Sequence, residues 1–270
     1  MKDAWEATVK QPLFEETRAQ LARWMADPEV LGVVMVGSKS RGHGDALSDD
    51  DLEVILTDAA HARLRPDECS IVVPAEDGSP RRWIYDAYVT SLSDLESKAV
   101  SPRDLDHWPY EGDVVLFDRD GRVGRAVKAA GRMAPEFRAA RLRHAYVDVY
   151  LAAARAEKCL KRGQEASAAL IVARGAKALS RLIFALEWRW VPLDHWLEPE
   201  LKTLEDAAGV APGLLLALRE CRPQALREAM GLLEDRLVAE GLPPRSGFTE
   251  FFLAAIHPDQ APERLIHGLT

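Results

Sequence analysis

The sequence is poor in cysteine and has no long apolar run, and each shortage excludes a class of protein. Its 270 residues include three cysteines, Cys69, Cys159 and Cys221, with no CxxC spacing. They predict free, buried thiols of a cytoplasmic protein rather than a disulfide framework. No apolar run approaches the length of a membrane span, so we expect no membrane partner. The charged N-terminus, MKDAWEATVK, predicts that no signal peptide is present.

An excess of positive charge is also lacking. Asp and Glu number 43 against 35 Lys and Arg, which gives a formal net charge of -8. Because phosphate backbones are bound by basic surfaces, we expect no long nucleic acid as a partner. The acidic balance suits a small, neutral or cationic substrate better. The chain is long enough for one large domain or two ordinary ones, each with its own core.

Short apolar runs rich in β-branched and aromatic residues dominate the first half of the chain. An amphipathic helix is predicted ahead of them, at 13–26. The runs themselves predict five strands, at 31–36, 51–56, 69–75, 81–90 and 113–118.

The pattern then becomes helical. Long helices are predicted at 135–161 and 165–190, and shorter ones at 198–208, 211–220, 223–240 and 247–256. We therefore predict an α+β protein. It has a small mixed β-sheet domain at 1–125, followed by an all-α helical bundle domain at 130–270.

The stretch VGSKSRGHGDALSDDDLEVIL, residues 36–56, crowds acidic side chains between two predicted strands. Strand side chains alternate between faces, so Asp49 and Asp51 project together while Asp50 points the other way. Crowded carboxylates repel one another unless they are solvated or share a cation. The stretch is therefore either a loop of solvated acids that caps a strand or a cation site.

Gly37 and Ser38 favour the cation site, because they lie where a strand ends and a short helix can begin. The free N–H groups of a helix start attract anions, and glycine lets the backbone come close to a phosphate. Two carboxylates and phosphate oxygens together form the hard oxygen environment that Mg²⁺ takes. The stretch thus predicts a site for a nucleoside triphosphate bound with Mg²⁺.

The spacing of Gly37-Ser38 and Asp49-x-Asp51, with ten residues between them, resembles the signature of nucleotidyltransferases of the DNA polymerase beta type. Further positions of that signature are present at Ser40, Gly42 and Ser48. The predicted strands agree with the small mixed sheet of the family. The resemblance implies that a hydroxyl attacks the α-phosphate of a nucleoside triphosphate and that pyrophosphate leaves.

The resemblance also implies roles for three acids. Asp49 and Asp51 are expected to hold the Mg²⁺ that clamps the triphosphate. Family members usually carry a third carboxylate on a later strand, and Asp86 is the candidate, either as a ligand of a second metal or as the general base. The alternative for Asp86 is an aspartate that faces water on an edge strand. Glu53, on the same face as Asp51, is a weaker candidate.

Four residues around the glycine are expected to bind the nucleotide. Gly37 and Ser38 would hold the terminal phosphates. Lys39 and Arg41 are close enough in sequence to help neutralise them, and both are equally compatible with solvated charges on a helical turn.

A domain of this family followed by helices resembles the antibiotic nucleotidyltransferases, which adenylylate aminoglycosides or lincosamides. The resemblance implies transfer of AMP from ATP to a hydroxyl of a small molecule. Transfer to a protein or RNA hydroxyl is one alternative, and a non-catalytic nucleotide-binding module is another. The long helices could form a homodimer interface as readily as pack within one subunit.

Two groups of side chains in the helical domain are further candidates. Arg174, Lys177 and Arg181 share one helix face, which predicts either a basic stripe that reaches the triphosphate or a solvated surface. Three tryptophans either line a substrate cleft or belong to the core: Trp188, Trp190 and Trp196.

Overall fold

The computed structural model of the protein describes residues 11–76 and 78–255. Its strands are β1 (Val30–Met35), β2 (Asp50–Leu56), β3 (Ser70–Pro74), β4 (Trp83–Ser91) and β5 (Val115–Asp118). Its α-helices are α1 (Glu15–Ala26), α2 (Gly37–Ser40), α3 (Asp58–His61), α4 (Leu92–Ser97), α5 (Arg122–Gly131), α6 (Pro135–Lys161), α7 (Glu165–Leu186), α8 (Leu197–Leu201), α9 (Ala211–Glu220), α10 (Pro223–Leu232), α11 (Glu234–Ala239) and α12 (Phe248–Ala255). Residues 1–10, from which the absence of a signal peptide is predicted, lie outside the described residues. Residue 256, the last residue of the helix predicted at 247–256, lies outside them as well.

The strands form one mixed sheet in the order β3-β4-β2-β1-β5. β2 and β4 run parallel, whereas the other neighbouring pairs are antiparallel. The predicted strands are all present, with small shifts at their ends. The predicted α+β class, with a small mixed sheet followed by a helical region, is confirmed.

The central part of the sheet is buried on both faces. Every residue of β1 is buried, because its run of apolar side chains supplies both faces in alternation. Leu21 and Trp24 of α1 belong to the core on one face. Leu95 of α4 and Val127 of α5 belong to the core on the other face. Acidic residues on the neighbouring strand β2 therefore need a specific explanation.

The two longest helices, α6 and α7, approach each other through small residues. A Cβ added at Gly175 would lie only 2.7 Å from the Cβ of Ala152, so glycine permits the close packing. α7 ends at Leu186, earlier than the predicted residue 190, and Trp188 already has a positive φ of 59°. The single helix predicted at 223–240 is divided into α10 and α11.

The chain divides into two compact units, Met1–Ser101 with Leu105–Arg132 and Pro102–Asp104 with Met133–Thr270. The first, the sheet unit, contains the strands and α1 to α5. The second, the helical unit, contains α6 to α12. The predicted roles, nucleotide binding for residues 1–125 and acceptor binding for residues 130–270, stay predictions.

The cysteines carry no disulfide. Cys69, Cys159 and Cys221 are free, as predicted, but they are half-buried rather than fully buried. Of the helices in the described residues, none combines the length and the apolar character that a membrane span requires.

Candidate active site

Two of the predicted site acids meet across neighbouring strands. In the parallel pairing of β2 with β4, Asp51 lies directly beside Asp86, and paired residues point to the same sheet face. Asp49 comes immediately before β2, and all three acids are half-buried. β4 lies between β3 and β2, so Asp86 is not on an edge strand. We call these acids the carboxylate site (Asp49, Asp51 and Asp86).

The carboxylate site concentrates negative charge in a partly desolvated place. Burial, together with the charges of Asp49 and Asp86, raises the pKa of Asp51 to about 7, although a hydrogen bond from the Ser38 backbone N–H acts against the rise. Burial and the charge of Asp49 likewise raise the pKa of Asp86. Within the described residues, no ion pair joins the site to a lysine or arginine. Such a group of acids attracts a proton or a cation.

Gly37 allows the Gly-Ser turn (α2, Gly37–Ser40) to touch Asp51. Its φ of +65° lies in the left-handed region that favours glycine, and a Cβ there would lie 1.9 Å from Oδ2 of Asp51. The Val36 N–H donates to the Asp51 carbonyl oxygen over 2.9 Å, which ties the end of β1 to the start of β2. Glycine is thus required for both its conformation and its lack of a side chain.

The serines of the signature hold the loop that leads from the turn to β2. The Ser40 hydroxyl donates to the Gly37 carbonyl oxygen over 2.9 Å. The Ser48 oxygen accepts the Asp45 N–H over 3.0 Å, and its hydroxyl lies 3.1 Å from Oδ1 of Asp45. These local bonds give the loop a defined path to Asp49.

Lys39 lies on the opposite side of the sheet from Asp51. Its Nζ is 2.5 Å from Oδ1 of Asp50, and it lies 3.8 Å from the centre of the Phe14 ring. The second oxygen of Asp50 accepts the Phe14 N–H over 3.0 Å. The structure therefore does not bring Lys39 together with the carboxylate site. Its predicted role as a phosphate ligand stays a prediction, and the visible role of its ammonium is to neutralise a buried acid.

Arg41 points toward a segment that the sequence analysis did not single out. Its Nη2 lies 3.1 Å from Oε2 of Glu111, and its guanidinium lies 5.8 Å from the Trp108 ring centre. Glu111 is 70 residues away along the chain. Since no periodicity links residues this far apart, the sequence carried no signal for the pair. The predicted phosphate role of Arg41 also stays a prediction.

Glu53 belongs to a buried network rather than to an open site. The Nζ of Lys98 is 2.5 Å from its Oε1, and the Tyr110 hydroxyl donates to its Oε2. Lys98 also donates to the Tyr110 oxygen. Burial and the neighbouring Glu53 charge raise the pKa of Tyr110, which therefore keeps its proton and acts as a donor. Glu53 thus shares the strand face of Asp51 but already has a cationic partner.

Two of the three basic side chains predicted to form a stripe on α7 have acidic partners within the helical unit. Lys177 Nζ lies 2.6 Å from Oδ1 of Asp194, and Arg181 Nε lies 3.3 Å from Oδ2 of Asp104. Arg174 is exposed. These ion pairs favour the predicted alternative of a helix surface over a basic stripe that reaches the triphosphate, but Arg181, whose side chain is 16% exposed, is not solvated as that alternative predicts.

The three tryptophans have different environments. Trp190 is fully buried and packs edge-on against Phe137, as expected for the core. Trp188 is half exposed. The guanidinium of Arg138 lies over its ring, with the guanidinium carbon 4.5 Å from the centre of the Trp188 ring. Trp196 is half-buried. They do not behave as one set of cleft residues.

The helical unit contains an apolar cavity of about 510 Å³. It lies between α8 and α9, with Leu201, Pro212 and Leu215 among its lining residues. None of the residues that the sequence analysis proposed lines it.

The oxygen donors of the carboxylate site fit a hard divalent cation such as Mg²⁺. Across residues 11–76 and 78–255, no three histidine, cysteine, aspartate or glutamate side chains form a preassembled metal site. A cation here would consequently need further ligands, which a polyphosphate supplies. The close approach of Gly37 to Asp51 leaves the backbone of the turn beside these carboxylates without an intervening side chain.

The chain is similar to one protein family and to a solved structure. Residues 109–197, less than half of the chain, match a family described as a domain of unknown function, DUF4037. No curated protein matches the chain. A nucleotidyltransferase-like protein from Exiguobacterium sibiricum is similar at 14% identity and a TM-score of 0.44, over 93% of this chain and 87% of that one. At this TM-score we infer neither fold nor function from the likeness, and the fold is described from the structure alone.

Proposed function

We propose that this protein is a nucleotidyltransferase that uses Mg²⁺ and transfers AMP from ATP to a hydroxyl of a small molecule. The observation that carries the proposal is the parallel pairing of Asp51 with Asp86 directly beside Gly37. Three mutually repelling acids next to a turn without a side chain suit a cation bound with polyphosphate. The signature that includes Gly37, Ser38, Asp49 and Asp51 supports the same reaction.

Asp49 and Asp51 are the residues that would hold Mg²⁺, and Gly37 and Ser38 would border the terminal phosphates. When bound, the cation would neutralise the phosphate oxygens and stabilise the charge that develops in the transfer. The acceptor hydroxyl attacks the α-phosphorus, the bond between that phosphorus and the bridging oxygen breaks, and pyrophosphate takes the electron pair. Asp86 either accepts the hydroxyl proton or completes a second metal site.

The acceptor we propose is a small, hydroxyl-bearing and preferably cationic molecule in the cytoplasm, with aminoglycosides and lincosamides as the first candidates. The net charge of -8 favours such a molecule over RNA. We assign acceptor binding to the helical unit, in keeping with the resemblance of the chain to antibiotic nucleotidyltransferases.

Calorimetry with ATP and Mg²⁺ tests the nucleotide site. The double variant Asp49→Asn with Asp51→Asn should lose Mg²⁺-dependent ATP binding and keep its fold by circular dichroism. Asp67→Asn, which changes an exposed acid of the same unit, is the matched control and should bind as the unchanged protein does. Binding that survives the double change would overturn the metal assignment.

Pyrophosphate release then tests the transfer. A panel of aminoglycosides, lincosamides and proteins is offered as acceptors, with ATP and Mg²⁺ present. Pyrophosphate release with one of the small molecules supports the proposal. Release only with a protein would mean that the acceptor is a protein hydroxyl rather than a small molecule. Tight ATP binding without release from any acceptor would instead indicate a binding module.

A further inference from the structure

The short helical segment WPYEG (Trp108–Gly112) contacts the Gly-Ser turn and strand β2, the strand that carries Asp51. We call it the WPYEG segment. It lies in the sheet unit, between α4 and β5, and the family match begins within it. It follows His107, which is buried. The Nδ1 atom of His107 lies 2.7 Å from the Ala130 carbonyl oxygen, and its Nε2 atom lies 2.7 Å from the Ser101 carbonyl oxygen. The segment therefore begins from a fixed point.

One side of the WPYEG segment supports the Gly-Ser turn. Glu111 pairs with Arg41 directly after the turn, and each of the two side chains is only 9% exposed. A Cβ added at Gly112 would lie 2.8 Å from the Ser40 carbonyl oxygen, so the two backbones are in direct contact. A buried ion pair resists displacement because either charge would be left uncompensated in a poorly solvated place.

The other side of the segment supports β2. Tyr110 donates to Glu53, which also binds Lys98, and Glu53 follows Asp51 by two residues on the same strand face. Behind the segment, a Cβ at Gly131 would lie 2.7 Å from the Tyr110 carbonyl oxygen, so α5 leaves it little room to move away.

We propose that the WPYEG segment positions the active site by fixing the distance between the Gly-Ser turn and Asp51. Adjacent residues, Tyr110 and Glu111, hold the strand and the turn respectively. Arg41 is accordingly a positioning residue held by Glu111, not a ligand of the triphosphate. The inference rests on the proposed function, and it adds residues that the signature does not contain.

The first test measures local motion and needs no nucleotide. In Glu111→Gln we expect the rate of amide hydrogen exchange at residues 37–42 to rise about tenfold. In Tyr110→Phe we expect the same rise at residues 51–53. In both variants exchange elsewhere in the sheet unit should be unchanged. Asp120→Asn breaks an exposed pair with Arg122 in the same unit and should change neither region. Unchanged exchange at the turn in Glu111→Gln would overturn the inference.

The second test is a double-mutant cycle on Arg41→Gln and Glu111→Gln. If the pair positions the turn, each single change lowers kcat for pyrophosphate release about 10- to 100-fold while KM for ATP stays within about threefold, because displaced reacting atoms cost rate. The double variant should be no worse than the poorer single variant. An Arg41→Gln variant that loses ATP affinity, beside a Glu111→Gln variant that keeps it, would make Arg41 a phosphate ligand and reject the inference.

The two proposals fail in different ways. If the unchanged protein does not bind ATP with Mg²⁺, the proposed function is wrong, whereas the exchange experiment still decides whether the segment fixes the turn. If ATP binds and the exchange pattern does not change, only the positioning role is wrong.

Discussion

The two faces of β2 carry acids of the same type with opposite surroundings. Asp50 is fully buried, but Lys39 and the Phe14 N–H compensate its charge. Asp51, the next residue, is less buried and has Asp49 and Asp86 as charged neighbours. The comparison teaches that burial alone does not separate Asp50, whose charge is compensated, from Asp51, the proposed metal ligand. The distinguishing property is whether the fold itself supplies the compensating charge.

Asp51→Asn should give the largest effect and the clearest contrast. If the proposed function is right, pyrophosphate release should fall about 10³- to 10⁴-fold, because a proposed ligand of the cation is lost. The melting temperature should rise by a few degrees, because removing one of three like charges relieves repulsion. Activity assays and thermal denaturation measure the two effects. A variant that is both inactive and less stable would mean that Asp51 is compensated in the same way as Asp50.

Lys39→Met should give the opposite result on the other face. Removing the ammonium leaves the Asp50 carboxylate buried without a compensating cation and with the Phe14 N–H as its remaining donor, which should cost about 3–5 kcal/mol in the free energy of unfolding. Denaturation by urea measures the loss. The exposed Lys128→Met is the matched control and should cost less than about 1 kcal/mol. If Lys39→Met keeps its stability and instead loses ATP affinity, the ammonium serves the nucleotide after all.

Gly37→Ala tests the surroundings of Asp51 directly, because the added methyl group would contact the Asp51 side chain. The left-handed conformation alone should cost about 1–2 kcal/mol, and the added methyl would meet the Asp51 carboxylate. Gly78→Ala is the control, since Gly78 also has a positive φ but open space around it. The excess loss of Gly37→Ala over Gly78→Ala in urea denaturation reports the contact. Equal losses would mean that the turn moves away from Asp51 without cost.

Lys177→Ala in the helical unit should give the smallest effect. Its ammonium already has Asp194 as a partner, and a solvent-accessible pair of this kind contributes about 0–1 kcal/mol. We expect the ATP dissociation constant from calorimetry to change less than twofold. A tenfold weakening would restore the hypothesis of a basic stripe that reaches the triphosphate.

Local pattern predicted much of the fold. β-branched runs marked the strands, and the alternation of strand side chains correctly separated Asp49 and Asp51 from Asp50. Helix ends were predicted less well. For example, the single helix expected at 223–240 divides into α10 and α11. Gly231, in the last turn of α10, is a weak local signal for that division, because a single glycine inside a helical pattern is usually tolerated.

Long-range partners were the part that the sequence did not reveal. Proximity along the chain placed Lys39 near the phosphates, but its side chain crosses to Asp50 on the other face. Glu111 and Tyr110 lie 70 and 57 residues from the groups that they contact. Pairings over such separations follow from how strands and turns assemble, which no periodic pattern encodes.

The pairing of β2 with β4 ties the proposed active site to the register of the sheet. A slip of one residue between these parallel strands would bring Asp50 beside Asp86, move Asp51 away from it and exchange the side chains that one strand presents to the two faces of the sheet. A chain assembled with that error would lose the packing of its core and the pairing of Asp51 with Asp86 together. The proposed cation site and the core of the sheet unit therefore depend on one and the same strand register.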